Sequence, residues 1–179
     1  MWAGTLGAVT DYTAWERLCT LIDDDPEIWP SVQQALEGES LDEDEDMGKD
    51  QSGEDRDESG VEEDDGADEA WGALIDALDD CGALAYLHAE DTGMELADAL
   101  AGVPRIVRLG LDTDEVGDVD GDVPTAAAAA DALLAPAGLA LVFLEEDSDA
   151  HPLVVVPRES VTEIVDTAAA LGFVARQLP

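Results

Sequence analysis

LALVFLEEDSDAHPLVVVPRESVTEIVDTAAALGFVAR, residues 139–176, is the stretch on which the fold turns. Two apolar runs rich in β-branched residues, 139–144 and 153–156, flank the acidic connector EEDSDAHP. Short polar connectors between such runs join neighbouring antiparallel strands, so the segment reads as a hairpin. Residues 160–171 then form an amphipathic helix carrying Val161, Ile164, Val165 and Leu171. Gly172 ends it, and residues 173–176 give a terminal strand.

Upstream, Trp71, Leu74, Ile75, Leu78 and Cys81 recur at helical spacing until Gly82. Residues 83–88 follow as a buried strand. Asp91 or Thr92 opens a helix through Leu96 and Leu100, which Gly102 and Pro104 close. Residues 105–111 read as a weaker strand and 112–122 as an acidic loop. Pro124 starts an alanine-rich helix that ends near Pro136. At the N-terminus a helix over 11–23 buries Trp15, Leu18, Cys19 and Ile22. Thr13 and Glu16 have capping-box spacing there, with Asp11 a rival cap. After Pro26 and Pro30, Ser31 and Gln34 repeat that spacing and open a short helix over 31–36.

The order is helices followed by β-α-β-α-β-β-α-β. Strands joined through helices imply parallel pairs, and the hairpin implies one antiparallel pair. The expected fold is therefore α+β: a mixed, largely parallel sheet with helices packed on it, preceded by an N-terminal helical segment. Three stretches organise the chain: the helical part at 1–36, an acidic insertion at 37–69, and the α+β core at 70–179. The insertion is poor in apolar residues and is expected to be disordered, since it cannot bury enough surface to offset its ordering entropy.

The charge identifies a solvent before it identifies a function. The chain holds 45 acidic residues against 7 basic ones, a net charge of −38. Residues 37–69 account for 18 of the acids and two of the bases, Lys49 and Arg56, so the remainder still carries −22 and no lysine. A disordered acidic tail attached to an ordinary domain would leave a balanced remainder. Such a surface repels itself in dilute buffer, where charges interact over about 10 Å, and is relieved at molar salt, where that length is about 3 Å. The pattern points to a halophilic protein. A nucleic-acid mimic would gather its acids on one face, whereas here they flank nearly every helix and loop.

The same charge disfavours nucleic acid and anionic membranes as direct partners. No apolar run approaches the ~20 residues of a membrane span, and MWAGTLGAVTDY lacks the basic and apolar regions of a secretory signal. Cys19 and Cys81 both fall on apolar helix stripes and read as free buried thiols, which places the protein in the cytoplasm.

Chemistry is sparse. The chain has two histidines, each at a predicted strand end beside acids. Were those ends side by side, His88, His151, Glu90 and Asp147 could hold zinc, manganese or non-haem iron. Their spacing carries no metal signature, and acids are available everywhere in this chain, so solvated surface histidines are the plainer reading. Asp118, Asp120 and Asp122 suggest a calcium loop, but Val123 and Ala129 stand where an EF-hand needs Gly and Glu. No P-loop, dinucleotide glycine fingerprint or GxSxG elbow occurs. Arg105 and Arg108 could form an anion site; in so acidic a chain they serve better to neutralise neighbouring carboxylates.

WGALIDALDDCGALAYL, DALLAPAGLALVFLEEDSDAHPLVVVP and the closing helix and strand together resemble the prokaryotic domain-of-unknown-function family numbered 6630. The resemblance covers residues 71–171. It implies Asp-Trp at the positions of His88 and Ala89 and an aromatic at His151, so both histidines depart from the family pattern, and the acidic tract is an added insertion. It implies a single α+β domain and brings no activity with it.

The resulting expectation is a halophilic cytoplasmic module that binds an unidentified protein partner without catalysis or cofactor, through the loops at 88–91, 112–122 and 145–151. The alternatives are a divalent-metal enzyme built on His88 and His151, and an immunity or antitoxin-type partner. An exposed sheet edge would also allow a homodimer.

Overall fold

A computed structural model describes residues 11–38 and 65–178. Residues 39–64 of the acidic tract lie outside the described residues, and so does the disorder expected of them; residues 65–69, also expected to be disordered, are instead the first residues of a helix. In chain order the elements are α1 (Tyr12–Ile22), α2 (Ile28–Leu36), α3 (Asp65–Asp80), β1 (Leu84–Leu87), α4 (Gly93–Gly102), α5 (Pro104–Leu109), α6 (Asp114–Gly117), α7 (Val123–Leu134), β2 (Leu139–Leu144), β3 (His151–Pro157), α8 (Val161–Ala170) and β4 (Ala175–Arg176).

The four strands form one sheet in the order β1-β3-β2-β4, and every neighbouring pair is antiparallel. The hairpin expectation holds; the largely parallel sheet does not. The connections explain the difference. β1 and β2 both run antiparallel to β3 and therefore point the same way, as a helical crossover requires. β3 and β4 likewise share a direction, being both antiparallel to β2. Each crossover nevertheless skips one strand, so strands of equal direction never become neighbours. This is a split β-α-β arrangement used twice.

Both crossovers move the same way across the sheet, but they start from oppositely directed strands. Crossovers of one hand must then lie on opposite faces. The core is divided accordingly. α1, α2, α3 and α8 pack on Leu84, Ala140, Val142, Leu144, Val154 and Val156. α4 to α7 pack on Ala85, Leu87, Leu141, Phe143, Leu153 and Val155. With both faces covered, all six residues of β2 are buried. Unbroken apolar strands are usual in parallel sheets; here the same signature arises because an antiparallel sheet lies between two helical layers.

Local signals account for the helix ends. Asp11, not Thr13, caps α1 by accepting from the Ala14 amide at 3.1 Å. Thr92 and Glu95 complete a capping box at α4. α2 begins at Ile28 instead of Ser31; Pro30 fits in its first turn, where amides have no helical partner anyway. The strand expected at 105–111 is helix α5. Pro104 at its first turn and Gly110, left-handed at φ 62°, define that helix more strongly than its β-branched residues define a strand. The acidic loop at 112–122 contains the short helix α6.

Two charged side chains complete the sheet where its edge strands stop. β1 ends its pairing at Leu84↔Val154, and one residue beyond it the Val155 carbonyl accepts from Arg105 at 2.6 Å. The same guanidinium donates to the Ile22 carbonyl at 2.6 Å and faces Asp23 at 3.6 Å, so it joins α5, β3 and the end of α1. On the other side β4 pairs only with Phe143 and Leu144. The Leu141 amide, outside that pairing, donates to Asp131 of α7 at 3.0 Å, and Arg158 and Gln177 hold the same carboxylate. Both contacts satisfy backbone groups that would otherwise be buried unpaired.

Candidate functional site

The loops at 88–91 and 145–151 meet at the end of the sheet formed by the last residue of β1 and the first of β3, since Leu87 pairs with His151. The segment 112–122 joins them. Gly93 at the start of α4 lies against the Val116 and Val119 carbonyls, and the Asp122 carboxylate senses the charge of His151. The three loop segments thus gather at one end of the molecule.

The connector between β2 and β3 divides that end into two open clefts. On one side a cleft of about 580 Å³ is lined by Tyr86, His88, Glu90 and Asp91 with Ser148 and Asp149. On the other a groove of about 630 Å³ runs between α3 and the entry to β4, past Trp71, Ile75, Phe173 and Val174, with Asp68, Glu145, Glu146 and Asp147 at its rim. The connector is pinned from both sides. Tyr86 donates its hydroxyl to Glu146 at 2.6 Å, and the Trp71 indole donates to the Glu145 carbonyl at 2.8 Å. The hydrogen bond to Glu146 pushes the Tyr86 phenol above its ordinary pKa, because ionising it would lose the donated proton and, to a lesser degree, place two anions together. Trp71 stacks on Phe173 with ring centroids 4.6 Å apart and planes inclined by 2°, and Trp15 packs tilted against both rings, 5.6 Å from Phe173 and 6.4 Å from Trp71.

The four residues expected to share a metal are dispersed. His151 lies on the sheet face of Leu87 and Leu153, its ring 5.6 Å from that of Phe143. His88 follows Tyr86 by two residues and meets its ring edge-on at 5.7 Å, on the opposite face. Glu90 lies in the cleft with His88, whereas Asp147 lines the groove beside α3. Asp91 is committed to the His88 backbone amide at 2.7 Å. The acid that senses His151 is Asp122, held below the ordinary carboxylate range first by the Thr125 hydroxyl and then by the Thr125 amide, with His151 contributing less. Among the described residues no three His, Cys, Asp or Glu side chains form a group able to hold a metal ion. The His151 Nδ1 atom is buried with no hydrogen-bond partner.

Four of the five described arginines behave as expected of scarce cations: Arg17 pairs with Glu163, Arg105 with Asp23, Arg158 with Asp131 and Arg176 with Glu145. Arg108, expected like Arg105 to neutralise a carboxylate, makes no ion pair among the described residues and donates to the Pro104 carbonyl. Both cysteines are free, Cys19 buried and Cys81 half-buried. Burial pushes the Cys19 thiol up to about 12 and raises Cys81 as well, which makes both poor nucleophiles. Among the described residues no helix is long and apolar enough to cross a membrane.

Tyr86 and the groove beside Trp71 stand out in the structure and hardly at all in the sequence. Tyr86 stands 39 % exposed on a strand otherwise buried, and an aromatic in a short apolar run gives no sign of which way it faces. Gly72 was the available signal, a helix-interior glycine among alanines and leucines.

Fold and clefts together define a small α+β domain with an antiparallel sheet between two helical layers and its loops gathered at one end. The chain belongs to the family described as "Domain of unknown function (DUF6630)", whose model matches residues 14–178. That match extends beyond the resemblance at 71–171 and takes in most of α1 and all of α2, which share one core with α3. No curated protein and no solved structure matches the chain.

Proposed function

We propose that this domain is a protein-interaction module, without catalysis, that works in a cytoplasm at molar salt. The observation that carries the reading is the meeting of the loops at 88–91 and 145–151 at one end of the sheet, where they frame open clefts, with 112–122 packed beside them and lining neither cleft. The side chains there are carboxylates, hydroxyls and aromatics, suited to contact; the two imidazoles are separated by the sheet. The salt adaptation rests on the acid left over once the arginines are spent. Four of the five described arginines are ion-paired, against a net charge of −22 outside residues 37–69.

Affinity capture in 2 M KCl tests the reading. Wild-type protein should retain a stoichiometric partner that the double variant Tyr86→Ala/His88→Ala releases while keeping its fold. Full retention by the variant would remove the cleft at Tyr86 from the binding surface. Capture of nothing, at any salt concentration, would sink the interaction reading itself.

A further inference from the structure

We propose that the groove between α3 and the entry to β4 receives an arginine or lysine side chain from a segment of the partner protein. The inference rests on the interaction reading above and names the partner's chemistry. The aliphatic stem would lie along Ile75, Phe173 and Val174, and the cationic head would meet Asp68 and Asp147.

Three observations support this occupant. The first is shape. Gly72 and Gly172 both line the groove, and a Cβ added at either would meet nothing within 4 Å. Gly172 has a backbone reason, with φ at 94°. Gly72 has none: it sits inside α3, where glycine costs about 1 kcal/mol relative to alanine and no neighbour excludes a methyl. Its absent side chain keeps the groove open.

The second is charge. Glu145 is already paired with Arg176, and Glu146 accepts from Tyr86 and Ser148. Asp68 and Asp147 make no ion pair among the described residues, and both line the groove beside its apolar wall of Ile75, Phe173 and Val174. A second copy of this chain is a poor source of the missing cation. It carries −38, and Arg108 alone of the described arginines lacks an ion pair.

The third is range. At molar salt, attraction between charges extends only about 3 Å, so direct contact must supply the affinity. Arginine and lysine combine a charge with a stem that packs on apolar surface, which a groove of this composition can use.

Isothermal titration in 2 M KCl with a hexa-arginine peptide as probe tests the assignment. The expected result is saturable binding of one peptide per chain, weakened about tenfold or more both by Gly72→Leu and by Asp68→Asn/Asp147→Asn. Gly72→Leu leaves net charge and helix intact, so a peptide that merely coats an acidic surface would not notice it. Equal affinity in that variant, several peptides per chain, equally tight hexaglutamine, or no binding at all would overturn the proposal. In the capture experiment, a partner released by Tyr86→Ala/His88→Ala but kept by Gly72→Leu would overturn the groove assignment and leave the interaction module standing.

Discussion

Two glycines at helical positions should respond to alanine with opposite signs. Gly93 opens α4 where that helix touches α6, and a methyl there would stand 2.4 Å from the Val116 carbonyl oxygen and 3.0 Å from that of Val119. A carbon ordinarily approaches a carbonyl oxygen to about 3.3 Å, so backbone must move. Overpacking of this kind costs about 1–3 kcal/mol. The preference of helices for alanine returns at most about 1 kcal/mol, and less in the first turn. Gly93→Ala should therefore lose about 1–2 kcal/mol. Gly72 lies in open space, and Gly72→Ala should gain about 0.5–1 kcal/mol. In a domain of this size each kcal/mol moves the melting temperature by about 2–4 °C. Thermal and urea unfolding of both variants beside the wild type, in 2 M KCl, reads the difference. A Gly93→Ala protein as stable as wild type, or two shifts of the same sign, would refute the packing argument.

Four further outcomes follow from the structure and its charge. The unfolding midpoint should climb steeply between about 0.1 and 3 M KCl as screening shortens; a flat profile would remove the halophilic reading. Asp131→Ala should cost about 2–3 kcal/mol in urea unfolding, because it strands the Leu141 amide and frees Arg158, while Asp131→Asn should cost less by retaining an acceptor. Glu95 is held below its ordinary value of 4.5, first by the Thr92 hydroxyl and then by its amide. Its stabilising contribution is therefore complete above that value and lost as pH falls through the lower, folded-state pKa. Thr92→Ala should accordingly destabilise at neutral pH and lose much of its effect in acid, as circular dichroism melts at the two pH values would show. Elemental analysis of protein purified without chelator should find no stoichiometric transition metal, and His88→Ala/His151→Ala should leave that result unchanged; one metal per chain, absent from the variant, would reverse the reading of the histidines.

Connection type and strand order left different marks in the sequence. The hairpin was legible because two β-branched runs flank a short polar connector, and α4 because Thr92 and Glu95 stand three residues apart at its start. Strand direction was legible as well, since a helical crossover returns the chain to the same end of the sheet. Which strand ends up beside which was not, because no local pattern records that β3 slips between β1 and β2. The Pro104–Leu109 segment misled for a related reason: Ile106, Val107 and Leu109 suit a strand, and only Pro104 and Gly110 mark the helix. For the candidate site, the histidines drew attention through rarity. Their separation depends on the pairing Leu87↔His151, a long-range register that places His151 on one face and Tyr86 with His88 on the other.

The position of the hairpin bears on how the chain assembles. β2 and β3 are close in sequence and central in space, while β1 and β4 reach them over longer separations from opposite sides. Loop closure is easiest for the near pair, so the middle of the sheet can form first and serve as a template for each edge independently. Local opening then runs in the reverse order, from the rim inward. Amide exchange should be slowest at Val142 and Val154, inside the doubly covered strands, and fast at Ala175, in an edge strand of two residues. The surface proposed for partners lies beside that two-residue strand, so docking there would steady the least protected margin of the sheet.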